Sequence, residues 1–211
     1  MSHHKDIHAA KQALRAAIKT RRAAIPAESR LVAAQAIAAE TVALLHVQKL
    51  AGREAQVVSG FQSIGDEVDT GPVLKRLHAA KYTLCLPVMQ GKNQPLLFRQ
   101  WAPGDAMNTK VWGIQEPEAD QPSLIPDVML VPLLAVDPTG MRLGYGGGFY
   151  DRTIQVFRQL RGVLTVGIAF DEQRVDAVPH LAYDMTLDWI VTPSGVHRGQ
   201  PNNSWNRPDG T

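Results

Sequence analysis

The chain has almost no cysteine: Cys85 is the single one in 211 residues. An internal disulfide is impossible, which fits a reducing compartment and points to the cytoplasm. The run around it, Tyr82 to Met89, is apolar, so Cys85 reads as a packing residue rather than a nucleophile. An excess of one charge is also missing. Lysine and arginine number 22 against 20 aspartates and glutamates, a net +2, too little to draw nucleic acid by itself. No stretch approaches the about 18 uninterrupted apolar residues of a membrane span, so no membrane partner is expected. The opening Met-Ser-His-His-Lys-Asp lacks the apolar core and cleavage site of a signal peptide. No internal repeat or clear linker divides the chain, and its length suits one sizeable domain.

Glycine is what the chain has. Gly144, Gly146, Gly147 and Gly148 fall in the stretch 137–152, Asp-Pro-Thr-Gly-Met-Arg-Leu-Gly-Tyr-Gly-Gly-Gly-Phe-Tyr-Asp-Arg. The apolar run Val128 to Val136 precedes it and a helix-compatible segment, Asp151 to Leu160, follows. Glycine permits positive φ and close approach of backbone to a ligand. Successive amides in such a loop form an anion-binding concavity, and a helix start behind it adds partial positive charge. Arg142 beside the loop suits a phosphate, and Asp151 at its exit suits a magnesium ion. The spacing matches neither the dinucleotide fingerprint nor the Walker pattern. A nucleotide-phosphate site and a purely structural turn both remain open on spacing alone.

The surrounding pattern predicts alternating helices and strands. Helices are expected over 5–24 and 28–50, and a third with Thr70 as its cap and Pro72 in its first turn. Strands are expected over 56–62, 82–89, 96–101, 128–136, 163–170 and 188–191. Residues 102–126 read as a long ordered loop without regular elements. Lys11, Arg15, Lys19 and Arg22 share one face of the first helix. That stripe is either a solvated face or a phosphate-facing one. The fold class expected is α/β: a three-layer α/β/α single domain with a largely parallel sheet. Residues 1–194 would form the domain and 195–211 a disordered tail. Ligands in such sheets bind beyond the carboxyl ends of the strands, where the loops 62–70, 101–117 and 137–150 all fall.

The motif Gly140-x-Arg142-Leu143-Gly144-x-Gly146-x-Gly148-Phe149-Tyr150-Asp151 resembles the signature of the 5-formyltetrahydrofolate cyclo-ligase family, also called 5,10-methenyltetrahydrofolate synthetases. Lys11-x-x-Leu14-Arg15 is similar to that family's N-terminal nucleotide-binding helix. Glu67-Val68-Asp69-Thr70 is similar to its folate-side glutamate motif, and Trp112-Gly113-Ile114-Gln115-Glu116-Pro117 to its central motif. Asp184, with Asp188 four residues on, matches its C-terminal aspartate segment. The five pieces occur in family order.

The resemblance implies an ATP- and magnesium-dependent enzyme that converts 5-formyltetrahydrofolate to 5,10-methenyltetrahydrofolate. It implies that Lys11, Arg15, Arg142, Leu143, Gly144, Tyr145, Gly146, Gly147, Gly148, Phe149 and Tyr150 surround ATP, with Arg142 and Lys11 as catalytic groups. Gln62 and Glu67 would bind the folate, with Phe149 or Tyr150 stacking on it. Asp151 and Asp184 would hold Mg2+. Each has a plainer alternative: Glu67 a solvated acid, Asp151 a helix cap, Asp184 a surface charge, Trp112 a packing residue. Tyr183 stands where many relatives carry histidine, and Tyr145 and Gly147 where some carry basic residues. The expected partners are small molecules, acting on a monomer. A paralogue acting on another N-formyl or carboxylate substrate and a non-catalytic folate- or nucleotide-binding protein are the competing readings.

Overall fold

In the computed structural model, residues 2–50, 52, 56–109 and 113–200 are described. Two long helices open the chain, α1 (Ser2–Ala23) and α2 (Ala27–Leu50), separated at Pro26, which cannot continue the first. The remaining elements are β1 (Val57–Ser59), α3 (Gly71–Ala79), β2 (Thr83–Met89), β3 (Leu96–Gln100), β4 (Met107–Thr109), β5 (Gln115–Pro117), β6 (Val128–Pro132), β7 (Ala135–Val136), β8 (Arg142–Leu143), α4 (Phe149–Leu160), β9 (Leu164–Ile168), β10 (Trp189–Thr192) and β11 (Gly195–Arg198).

Seven strands form the central sheet in the order β11-β10-β9-β6-β1-β2-β3. Its inner pairings are parallel, and only the outer strands β3 and β11 run antiparallel to their neighbours. The sheet is therefore largely parallel, as expected. β6 lies near its middle and is buried on both faces. Val128 and Leu130 join the cluster that includes Ile37 and Leu45 of α2 and Leu74 and Leu77 of α3. Met129 and Val131 point the other way, toward Ile154 and Phe157 of α4. This alternation makes α2 and α3 one outer layer and α4 the other. A third cluster seats Ile18 of α1 on Leu134, Ala135 and Leu143. α2 is long and apolar enough to cross a membrane by composition, with a mean hydropathy of 1.4 over Ala27–Lys49. Polar Gln35, Glu40 and Thr41 interrupt it, so it contains no continuous apolar run. It packs on α3, β10 and β11, as a core helix does.

Several expectations are corrected. The 102–126 segment contains a small hairpin, β4 with β5. The apolar run 128–136 is two strands, because after Pro132 the chain leaves the sheet and Ala135–Val136 pairs instead with Arg142–Leu143. Thr70 does not cap α3 with its side chain; its hydroxyl donates to the Phe61 carbonyl at 2.6 Å. The tail does not lose structure at residue 195. Gly195–Arg198 pairs antiparallel with Trp189–Thr192 through a tight turn at Pro193-Ser194, with Gly195 at φ 138. A four-residue edge strand carries too few apolar residues to show in the sequence. Residues 201–211 lie outside the described residues.

Candidate active site

The chain passes from β1 to β2 on one side and returns to β6 on the other, so the winding order of the sheet reverses between the parallel strands β1 and β6. A narrow, largely buried seam lies beyond the carboxyl ends of β1, β6 and β9, lined by Phe61, Pro132, Ile168, Arg22 and Glu67. This is where open α/β sheets bind ligands. The glycine loop 144–148 runs between β8 and α4, and its Tyr145 reaches Glu67. Gly146 (φ 108) and Gly148 (φ 65) take the left-handed conformation, and Gly148 is the N-cap of α4. The base of the loop is fixed by Asp137. Its Oδ1 accepts the Thr139 and Met141 amides and the Thr139 hydroxyl, and its Oδ2 accepts the Val178 amide.

Helix α1 reaches this loop with part of its basic stripe. Arg15 Nε donates to the Gly144 carbonyl at 2.9 Å, and its guanidinium lies beside Gly146. Burial lowers the Arg15 pKa, opposed by the charge of Asp184. Lys11 Nζ sits 2.5 Å from Asp184 Oδ2, with both side chains about nine-tenths buried. Arg22, four residues beyond Ile18, is buried on the same side. Lys19 faces solvent. Across the loop, Arg152 donates to the Gly147 carbonyl at 2.5 Å and lies over the Phe149 ring.

Arg142 is turned inward. Its side chain is 3% exposed, 3.0 Å from Asp151 Oδ1 and 2.7 Å from the Met185 carbonyl. Asp151 Oδ1 also accepts the Met185 amide at 3.0 Å, and Asp184 Oδ2 the Leu181 amide at 2.6 Å. Arg142 and Asp151 thereby lock the start of α4 to the segment that carries Asp184. Each acid has one oxygen committed and one without a hydrogen bond among the described residues. No group of three or more acid, histidine or cysteine side chains converges among the described residues. The donor set suits a hard cation that takes one or two carboxylates and receives its other ligands from phosphates and water.

Glu67 lines the seam. Its Oε2 accepts the Ile64 amide at 2.8 Å and its Oε1 the Tyr145 hydroxyl. Tyr145 accepts from Arg22 Nη1 at 2.8 Å, and Arg22 Nη2 donates to Asp66 at 2.6 Å. Burial raises the Glu67 pKa against the pull of those two hydrogen bonds and of Arg22. Arg22 ends above its ordinary value because its bonds to Asp66 and Tyr145 outweigh the opposing effect of burial. The pKa of Tyr150, half-buried at the start of α4, is pushed upward by burial and then by the charge of Glu67. Gln62 stands half-buried on the same strand exit.

The structure thus links these residues in pairs: Lys11 with Asp184, Arg15 with the glycine loop, and Tyr145 of that loop with Glu67. Leu143 is an anchor, buried against Ile18. The central motif stands apart: Glu116 is buried and accepts the Met89 amide at 2.9 Å, holding the β4–β5 hairpin to β2. Trp112 lies outside the described residues. Arg22, Asp66, Arg152 and Asp137 were not among the expected site residues. Arg22 carried a signal, since it completes the helical face of Lys11 and Arg15.

A family model described as the 5-formyltetrahydrofolate cyclo-ligase family matches residues 7–193. A 5-formyltetrahydrofolate cyclo-ligase of Escherichia coli (strain K12) is 37% identical over 147 residues, 67% of this chain and 80% of that protein. One of Mycolicibacterium smegmatis is 30% identical over 194 residues, 87% of this chain and 93% of that protein. Among solved structures, the 5,10-methenyltetrahydrofolate synthetase of Aquifex aeolicus superposes with a TM-score of 0.72 at 26% identity, covering 94% of this chain and 97% of that one.

Proposed function

The chain belongs to the 5-formyltetrahydrofolate cyclo-ligase family of ligases, and from that premise we propose that it uses ATP and magnesium to close 5-formyltetrahydrofolate to 5,10-methenyltetrahydrofolate, releasing ADP and phosphate. The observation that carries the reading is that α1 and Glu67 both meet the glycine loop, Arg15 at the Gly144 carbonyl and Glu67 at the Tyr145 hydroxyl. The formamide oxygen of the substrate is a poor leaving group. Transfer of the γ-phosphoryl to that oxygen breaks the β–γ phosphoanhydride bond and leaves an electrophilic formyl carbon. Nitrogen 10 then attacks that carbon and releases its proton to solvent, the C–O bond breaks with its electron pair leaving on phosphate, and the ring is closed.

Phosphoryl transfer asks a protein for positioning and charge neutralisation more than for covalent chemistry. Arg15 and the loop amides would hold the phosphates, with Lys11 beside them across Asp184. Arg142 serves this site indirectly, by bracing Asp151 and Met185, so its role is positioning. When bound, magnesium neutralises developing phosphate charge. Asp151 and Asp184 would hold it through their uncommitted oxygens. Glu67 would accept the amino and ring N–H donors of the pterin, with Gln62 and Tyr150 beside it. The buried, unpaired Cys85 supports a cytoplasmic setting.

The test is direct. Purified protein with 5-formyltetrahydrofolate, ATP and magnesium should generate the methenyl chromophore, and omission of ATP should abolish it. Absence of product above the ATP-free control rejects the reading. Tight folate binding without turnover would identify a sequestering protein instead.

A further inference from the structure

The folate-side carboxylate is held by a residue of the nucleotide loop. Tyr145 lies between Gly144 and Gly146, yet its hydroxyl donates to Glu67, 78 positions away in the chain. The same hydroxyl accepts from Arg22 Nη1 at 2.8 Å. A phenol has one proton. Since the guanidinium has nothing but donors, the Tyr145 proton is committed to Glu67. Arg22 is fixed in turn: it is 3% exposed and its Nη2 is 2.6 Å from Asp66. The network therefore donates outward from Arg22, to Asp66 on one side and through Tyr145 to Glu67 on the other.

The terminal torsion of a glutamate is broad and its carboxylate turns easily. Here the two oxygens have separate donors, Ile64 N on Oε2 and Tyr145 on Oε1. That pair fixes the rotation of the carboxylate plane. A carboxylate has about four acceptor positions, so each oxygen keeps capacity for a further donor. Two parallel N–H donors, such as the amino and ring N–H edge of a pterin, match that remaining pair.

We propose that Tyr145 is a positioning residue of the folate subsite, supplied by the nucleotide loop, which aims the Glu67 carboxylate at the pterin. This rests on the reading that Glu67 receives the pterin. The charged and titratable groups around Glu67 are Arg22 from α1, Asp66 from its own loop, Tyr145 and Tyr150. Of these, Tyr145 and the Ile64 amide are the ones that touch its oxygens.

The experiment compares Tyr145→Phe, Glu67→Gln and the double variant by steady-state kinetics in both substrates. Tyr145 is 48% exposed, so the phenylalanine variant should fold, which circular dichroism checks. Removing the hydroxyl takes away both its bond to Glu67 and the one it accepts from Arg22, and the loss at the carboxylate should raise the KM for 5-formyltetrahydrofolate about fivefold. The rise should appear in the folate KM and much less in the ATP KM. The double variant should be no worse for folate than Glu67→Gln alone, because Tyr145 acts through that carboxylate. If Glu67→Gln raises the folate KM while Tyr145→Phe does not, or if the two effects multiply, the proposal is wrong and the Glu67 assignment stands. If Glu67→Gln itself leaves the folate KM unchanged, the assignment fails and takes the proposal with it.

Discussion

Glu67 is a carboxylate kept in a setting that disfavours its charge. Burial raises its pKa, and the Tyr145 and Ile64 hydrogen bonds with the Arg22 charge recover only part of that cost. The sign of the consequence follows. A raised carboxyl pKa means that the proton is taken up at a higher pH than by an exposed glutamate, for which the value is about 4.3. Once protonated, the side chain has lost acceptor capacity for a pterin N–H pair. Folate KM should therefore climb on acidification, beginning above the usual carboxylate range, and this component should be absent in Glu67→Gln. Measuring the folate KM of both proteins from pH about 7.5 down to about 5 tests it. Identical profiles would remove Glu67 from folate binding, since substrate ionisation is common to both. At this scale the sequence named residues that the fold links, Lys11 with Asp184, Arg15 with the glycine loop, and Asp151 with the segment of Asp184. Other partners were not legible. Arg142 reads as an exposed phosphate donor from its place beside the glycines, but its partner Met185 lies 43 residues away. Tyr145 meets Arg22 across 123 residues. Only the fold brings such groups together.

The glycine loop separates conformational need from ligand need. Gly140 has φ +85, and a Cβ there would run into the Leu187 carbonyl oxygen. Gly148 has φ +65 and ends the loop where α4 begins. Both positions require glycine for the fold. Gly144 differs: it has no positive φ, and a Cβ there would meet nothing within 4 Å. A structural turn would tolerate alanine at 144, whereas an amide nest that admits a phosphate to its backbone would not. Gly144→Ala should leave stability within about 0.5 kcal/mol and raise the ATP KM about tenfold, the worth of roughly one phosphate contact. Gly140→Ala should lose about 3 kcal/mol or more in a urea melt, from backbone strain plus the clash. An unchanged ATP KM in Gly144→Ala would return that position to the turn reading. The elements themselves show why periodicity found some and missed others. α1, α2 and β6 are long enough for burial to imprint a pattern. β7 and β8 are two residues each, and their pairing is set by the Asp137 turn. Two residues cannot carry a period.

The molecule is closed at one edge by its last described strand, and this is where the domain boundary drawn from composition falls short. Gly, Pro, Asn and Arg after residue 194 look like a solvated tail, yet Gly195–Arg198 completes the central sheet. Val196 packs against the core beneath α2, and Arg198 lies over the Trp189 ring at 5.7 Å. Gly199 donates its amide to the Asp188 carbonyl at 2.9 Å and touches Gly140, where a side chain on either glycine would strike Leu187. Residue 199 thus supports the turn from which the glycine loop departs, and the sheet edge and the base of that loop are one structure. Ending the chain after Ser194 would strip the partner from Trp189–Thr192 and leave an unpaired apolar edge, the arrangement that invites intermolecular pairing. It would also open the packing at Gly140. The chain cut after Ser194 should lose about 3 kcal/mol, or roughly 10 °C of melting temperature for a domain of this size, and sediment partly as aggregate. The chain cut after Gln200 keeps β11 and the Gly140–Gly199 contact, so it should melt well above the shorter one. Equal melting of the two truncated chains would show that the edge strand contributes nothing to the sheet or to the foundation of the glycine loop.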